Sequence, residues 1–237
     1  MKSVFSLACG CLATACIFSG TLIAEEPAVT FPSFVASARR SLVLLPKDDK
    51  SIDAMEVYVL ASKLALDKLE GSNALKLPLP SGANGVKLLH GLDVGAKLEK
   101  ENVVYTGGVR LGQNQFSLAY TVAMGSKPFR FEPGRVASPH PVEVFVPKGG
   151  VLAVTVEGAS KLEDEVLPAA DKAPQAFEHY VGHAGLSGAP SLVVVFHKQG
   201  GKSIHPGLII AGGIVIGLLL LLAFRARSRR RGMPLSS

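Results

Sequence analysis

The residues best suited to bind a metal ion are six histidines spread between His90 and His205. Their densest group is Glu178, His179 and His183. On a helix, His179 and His183 would share a face and could bind one metal ion. The residues around them alternate as in a β-strand, where positions four apart lie about 13 Å apart. We therefore predict no metal site and surface or strand-edge positions for His90, His140, His179, His183, His197 and His205.

Residues that could support other kinds of catalysis are equally dispersed. All three cysteines lie in the first sixteen residues, and residues 185–188 contain only half of a G-x-S-x-G motif. The acidic run Glu163, Asp164 and Glu165 lacks the alternating oxygen ligands and the glycine of a calcium loop. We therefore predict no catalytic residue, no metal and no cofactor. A Ser-His-Asp triad assembled from distant positions is left open, because triads are defined by geometry.

The elements that would position these residues are short β-strands between residues 40 and 198, where apolar or alternating runs are broken by Gly and Pro. In residues 115–122, for example, Phe116, Leu118 and Tyr120 would share one face of a strand. Since no long helical stretch separates the runs, a parallel βαβ architecture is disfavoured. The eleven predicted strands are 41–45, 54–61, 74–79, 85–89, 103–105, 115–122, 128–131, 142–146, 151–156, 177–181 and 191–197.

This strand pattern predicts a mainly β protein with one antiparallel β-sandwich of immunoglobulin-like (Ig-like) type, because packing two sheets face to face protects strand edges. Two tandem Ig-like domains are the second choice, since they would need about fourteen strands. Residues 34–45 could begin as a short helix, and the polar residues 162–175 are expected to form a long surface loop. The tyrosines predicted to lie in the core or at its edge are Tyr58, Tyr105, Tyr120 and Tyr180.

An apolar segment near each end of the chain sets its expected location. Residues 1–24 have the features of a secretory signal peptide, with Lys2 at the start and Ala24 before two acids and a proline. The alternatives are an uncleaved anchor helix and lipidation at Cys16. Residues 207–224 are eighteen residues without a charge, about 27 Å as a helix, and predict a transmembrane helix.

The residues in and after this helix predict its orientation and its contacts. Positive charges mark the cytoplasmic side of a membrane helix, so the tail is expected to be cytoplasmic and the β-domain to lie outside the cytoplasm. Gly213 and Gly217 form a G-x-x-x-G pattern that lets two helices approach closely, which predicts a homodimer. The orienting arginines are Arg225, Arg227, Arg229, Arg230 and Arg231.

Charge and composition narrow the compartment and the partner class. The formal net charge of +6 comes from Lys2 and the five tail arginines, which leaves 19 basic and 19 acidic residues elsewhere. A neutral domain disfavours nucleic-acid binding. The absence of cysteines and of Asn-x-Ser/Thr sites from the exported part favours a bacterial periplasm. The predicted organisation is a signal peptide (1–24), an extended N-terminal arm (25–39), a periplasmic β-sandwich (40–198), a linker (199–206), a transmembrane helix (207–224) and a basic cytoplasmic tail (225–237).

Several stretches follow one another in an order that resembles a known family. They are EVY at 56–58, LPLPSGA at 77–83, the strand at 112–120 and VEVFVP at 142–147. Over about residues 50–200 this order resembles bacterial exported proteins described as carboxypeptidase regulatory-like domain proteins. The chain lacks most of their N-terminal Ig-like domain and has no long cytoplasmic segment. The resemblance implies a non-catalytic envelope domain and indicates no ligand.

These observations together predict a single-pass, membrane-anchored periplasmic module. It would be integral to the membrane and would act by binding another envelope protein rather than by catalysis. The alternative is an envelope ligand-binding receptor or a hydrolase whose site is built from dispersed residues. The two hypotheses differ in whether His140, His179 and His183 converge within about 5 Å of one another.

Overall fold

Extended strands account for most of the residues that the structure describes. In the computed structural model, the helical element among the described residues is a 3-10 turn at Gly71–Asn73. The residues that the structure describes are 29–125, 128–137, 141–150, 152–169, 172–183 and 191–198. The strands are β1 (Val29–Thr30), β2 (Val35–Pro46), β3 (Ser51–Ser62), β4 (Leu75–Pro78), β5 (Ala83–Leu88), β6 (Ala96–Glu99), β7 (Asn102–Tyr105), β8 (Gly112–Ala123), β9 (Phe129–Phe131), β10 (Val136–Ala137), β11 (Val142–Pro147), β12 (Leu152–Glu157), β13 (Ala159–Lys161), β14 (Glu165–Ala169), β15 (Lys172–Gly182) and β16 (Val193–Lys198).

One large sheet organises the molecule. It has eight strands in the order β13-β15-β11-β2-β3-β8-β5, with β14 also paired to β15. The central strands β2, β3 and β8 are each twelve residues long, and their register places Leu42 opposite Glu56 and Glu56 opposite Leu118. Among the described strands the pairing is antiparallel except for β2 with β11 and β1 with β10.

Smaller sheets cover one face of the large sheet. Two have three strands, β12-β16-β9 and β4-β7-β6, and β1 with β10 forms the last. Leu42 and Leu118 of the large sheet share one buried core with Leu77 of β4 and with Phe131 and Phe196 of the β9–β16 pair. The chain is therefore mainly β, with several antiparallel sheets in an arrangement consistent with a β-sandwich. The four tyrosines expected in the core or at its edge are all buried.

The opposite face of the large sheet is also buried near its middle. Val43, Leu45, Phe145 and Phe177 form a second, smaller cluster there. Strand residues alternate between the two faces of a sheet, so burial on both faces requires consecutive apolar residues. This accounts for the unbroken apolar run at the end of β2 and for the sequence of β11.

All eleven strands predicted from the sequence are present, although their bounds shift by a few residues. The sequence did not indicate β1, β6, β10, β13 and β14. Two expectations need correction. The first concerns the short helix considered at the start of residues 34–45, because residues 35–46 form strand β2.

The second correction concerns residues 162–175, which do not form a long loop. Most of them belong to a hairpin of β14 and β15, in which Glu165 pairs with Phe177. The polar residues in the stretch 162–175 are tolerated because β14 is an edge strand, with β15 as its partner. The register shifts between Leu167 and Ala169, on either side of a proline, as expected where proline cannot donate to the ladder.

The predicted membrane and targeting segments lie outside the described residues. These are the signal peptide at 1–24, the linker at 199–206, the helix at 207–224 with Gly213 and Gly217, and the tail with its five arginines. Within the described ranges, we find no helix that has the length and apolar character needed to cross a bilayer.

Candidate functional site

The structure does not gather the described histidines into one site. His90 is exposed beside the turn after β5, His179 is buried within β15, and His197 lies in β16. His183 directly follows β15, and His140 and His205 lie outside the described residues. The described ranges contain no group of three or more His, Cys, Asp or Glu side chains able to hold a metal ion. Residues 185–188 also lie outside those ranges.

His179 is held by packing and by one carboxylate. Its ring stacks on Phe145 with centroids 4.4 Å apart and an interplanar angle of 16°. Its Nδ1 lies 3.4 Å from Oε1 of Glu165, and its buried Nε2 has no hydrogen-bond partner in the described part of the chain. Through these two contacts, His179 joins the β14–β15 hairpin to the second apolar cluster.

Asp164, in the middle of the acidic run, belongs to a surface ion-pair network. It lies 2.6 Å from the ammonium of Lys148 and 3.9 Å from that of Lys161. Lys161 in turn lies 2.7 Å from Glu178, which accepts a hydrogen bond of 2.9 Å from the Tyr180 hydroxyl. Lysine ammonium groups therefore pair with the carboxylates of Asp164 and Glu178. Exposed ion pairs contribute about 0–1 kcal/mol each.

The described core contains one polar cluster, built around the fully buried carboxylate of Glu56 on β3. Arg40 on β2 donates to it twice, from Nε to Oε2 at 3.0 Å and from Nη2 to Oε1 at 2.8 Å. The Tyr58 hydroxyl donates to Oε2 at 2.6 Å, and the Tyr120 hydroxyl donates to Oε1. Arg40 Nη1 also donates to the carbonyl of Gly134. We refer to Arg40, Glu56, Tyr58 and Tyr120 as the Glu56 cluster.

Strand alternation and register bring the Glu56 cluster together. Glu56 and Tyr58 are two residues apart on β3 and share a face. Arg40 lies opposite Tyr58 in the β2–β3 ladder, and Tyr120 lies opposite Ala54 in the β3–β8 ladder. The same alternation in the sequence could have marked Glu56 as a buried polar residue between apolar neighbours. It could not have identified Arg40 and Tyr120 as partners, because the register between strands is not visible in one sequence.

Burial and electrostatics shift the pKa values of three members of the Glu56 cluster. Burial lowers the pKa of Arg40, but the Glu56 carboxylate outweighs this effect and raises the pKa above its ordinary value. Burial raises the pKa of Tyr58 and of Tyr120 well above the ordinary value, and the neighbouring carboxylate adds to the increase. Each oxygen of the carboxylate accepts two hydrogen bonds. A carboxylate so saturated and fully buried can hold strands together but has no lone pair available for a substrate.

Comparisons with known proteins give no family. No family model matches the chain, and no curated protein matches it either. The similar solved structures include an M1 zinc metallopeptidase from Deinococcus radiodurans, with 12% identity and a TM-score of 0.37 over 68% of this chain. A point mutant of that enzyme bound to a Tyr-Ser-Ala substrate aligns over 80% of this chain, with 12% identity and a TM-score of 0.37. This chain spans 42% and 52% of the lengths of these two proteins. At these scores the likeness assigns neither an activity nor a site.

Breaking the Glu56 cluster on one side should be strongly destabilising. Arg40→Met leaves a buried carboxylate without its counter-ion, which costs about 3–5 kcal/mol. Adding Glu56→Gln removes the charge that was left unpaired, so the double variant should recover part of the loss. Urea denaturation of the wild type, both single variants and the double variant measures this coupling. Additive effects would show that Arg40 and Glu56 do not interact as described.

The tyrosines of the Glu56 cluster should make stability fall at alkaline pH. Their pKa values are raised in the folded state, so their contribution is complete below the unfolded tyrosine pKa of about 10. It is lost as pH rises toward the folded pKa, at up to about 1.4 kcal/mol per pH unit for each tyrosine. Tyr120→Phe should reduce the slope of the unfolding free energy above pH 10. A slope equal to that of the wild type would contradict the assignment.

Proposed function

We propose that the protein is a membrane-anchored, non-catalytic interaction module of the bacterial envelope. The observation that supports this most is the closed state of the Glu56 cluster. The buried charges of Arg40 and Glu56 are paired with each other and screened from solvent. Of the residues considered for a dispersed site, His179 packs against Phe145 and lies beside Glu165, while Asp164 and Glu178 take part in surface ion pairs. The fold therefore presents its strand edges and loops, and not a reactive group, to other molecules.

The finer parts of this proposal rest on the sequence. The sandwich is of Ig-like type, a signal peptide directs residues 25–206 to the periplasm, and a single helix at 207–224 anchors the domain. The arginines that follow the helix fix the tail in the cytoplasm. The order of motifs that resembles carboxypeptidase regulatory-like domain proteins supports membership of that group of exported, non-catalytic domains.

Strand edges offer a physical basis for binding another protein. β5 ends the large sheet, while β4 and β6 end one of the three-stranded sheets. An edge strand has unpaired backbone donors and acceptors, to which an extended segment of a partner can add. The neutral charge of the domain suits a protein partner better than a nucleic acid.

A partner experiment tests this function directly. A C-terminally tagged full-length chain is purified from native membranes in mild detergent after light cross-linking. We expect a stoichiometric envelope protein in the eluate. Recovery of the chain without any protein partner, in repeated preparations, would contradict the interaction function. In that case the receptor or hydrolase alternative would become the leading hypothesis.

Protease treatment of spheroplasts tests the topology independently. Protease should remove residues 25–205 and leave a protected fragment that contains the tail. Full protection of the chain would overturn the proposed orientation.

We also propose that the transmembrane helix forms a homodimer through Gly213 and Gly217. Replacing both glycines by leucine should prevent the close helix contact and reduce the cross-linked dimer, as measured by gel electrophoresis. Ala211→Leu with Val215→Leu serves as the matched control, because these two residues have the same spacing as the glycines and would lie on the opposite face of the helix. An unchanged dimer signal in the glycine double variant would remove this contact from the proposal.

A further inference from the structure

The ladder between β3 and β8 ends in an irregular tip. The last regular pair is Ser62 with Gly112. Beyond it, Leu66 and Val109 form an isolated antiparallel bridge with both backbone hydrogen bonds, of 2.8 and 2.7 Å. Between these two anchors one segment has three residues, 63–65, and the facing segment has two, 110–111. This unequal count is that of a β-bulge, a feature that redirects side chains. We refer to residues 62–66 and 109–112 as the tip.

Two leucines at the tip face solvent. Leu64 is 52% exposed and Leu111 is 70% exposed, whereas Leu66 packs against the core and Val109 is buried in it. Both leucines lie on the two facing segments of the tip, and an exposed apolar patch is a common mark of a binding surface.

Hydrogen bonds from side chains order the backbone at Leu64 and at Arg110, the residue before Leu111. The Leu64 amide donates to Oγ of Ser62 at 3.2 Å, and that hydroxyl donates to the Leu64 carbonyl. On the other segment, the Asn114 side chain accepts from the Arg110 amide at 2.8 Å and donates to the Arg110 carbonyl at 2.7 Å. A surface that is already ordered loses less conformational entropy on binding. The tip is therefore preorganised for a contact.

Two cations flank the leucines. Lys63 and Arg110 are exposed, and each precedes one of the leucines in the sequence. In the described part of the chain neither has an acidic partner at salt-bridge distance. An apolar centre with a charged rim is typical of protein interfaces, and the sign of the rim selects a partner of opposite charge.

We propose that the tip docks an acidic segment of another envelope protein, in which an apolar residue flanked by Asp or Glu packs against Leu64 and Leu111. This deepens the interaction function proposed above and depends on it. A bilayer fits the tip less well, because lipid recognition uses clusters of four to eight basic residues. The tip lies at the start of β8. The strand that leads to the predicted anchor is β16, and it pairs with β9, the strand that follows the end of β8. The tip and the strand before the anchor are therefore associated with different ends of β8.

Site-specific photocross-linking of the full chain in its native membranes tests the proposal. Leu111→p-benzoylphenylalanine should give a protein adduct that mass spectrometry maps to a segment with Asp or Glu beside an apolar residue. Lys63→Glu with Arg110→Glu should reduce the adduct about tenfold, the change expected for roughly 1.4 kcal/mol of lost binding free energy. The matched charge control is Lys47→Glu with Lys50→Glu, two exposed lysines in the turn before β3, at the other end of that strand from the tip, which should leave the adduct unchanged.

Two further readouts separate the possible failures. Leu64→Ser with Leu111→Ser should abolish co-purification of the partner without lowering the thermal midpoint, since both side chains are exposed. A partner that still co-purifies with this variant would overturn the tip proposal but keep the interaction function. Adducts to phospholipid or to a second copy of the chain would also overturn it. The absence of any partner from the wild type would overturn both.

Discussion

The carboxylate of Glu56 is the constraint on which the large sheet depends. It accepts hydrogen bonds from side chains on β2, β3 and β8, the three longest strands of the sheet's centre. A slip of one residue in either ladder would turn one of these partners to the opposite face. The buried charge would then lose a donor, at a cost of about 1–3 kcal/mol or more for each unpaired group. The cluster therefore specifies register at least as much as it adds stability.

The same cluster connects the two layers of the core. Through Nη1, Arg40 reaches the carbonyl of Gly134, which lies in the segment between β9 and β10. A side chain at position 134 would approach the carbonyl oxygen of Pro78, since a Cβ built there lies 2.5 Å from it. Glycine is thus required where this segment passes between β4 and the arginine. A polar interaction on the large sheet in this way fixes how closely the smaller sheets can pack.

How far the sequence predicts this structure depends on the type of signal. Alternation and Gly or Pro boundaries located every long strand, because the 2-residue period is a property of each strand alone. β6 was missed, since it has only four residues with two charges among them, and β14 was missed because it contains a proline and directly follows a run of acidic residues. The tip could not be predicted at all. Lys63, Leu64, Arg110 and Leu111 are ordinary in sequence, and only the unequal pairing of their segments exposes the leucines together.

The contrast between the Glu56 cluster and the tip bears on function. In the cluster, polar groups are buried where apolar groups are expected, and each oxygen of the carboxylate accepts two hydrogen bonds. At the tip, apolar groups are exposed where polar groups are expected, and hydrogen bonds of Ser62 and Asn114 keep them there. Departures from local sequence rules concentrate at functional or strained sites. The cluster's departure is satisfied within the chain, whereas the tip leaves its leucines and its two cations exposed to solvent. An ordered scaffold that carries such a surface at the end of its longest ladder is the physical basis of the docking proposed above.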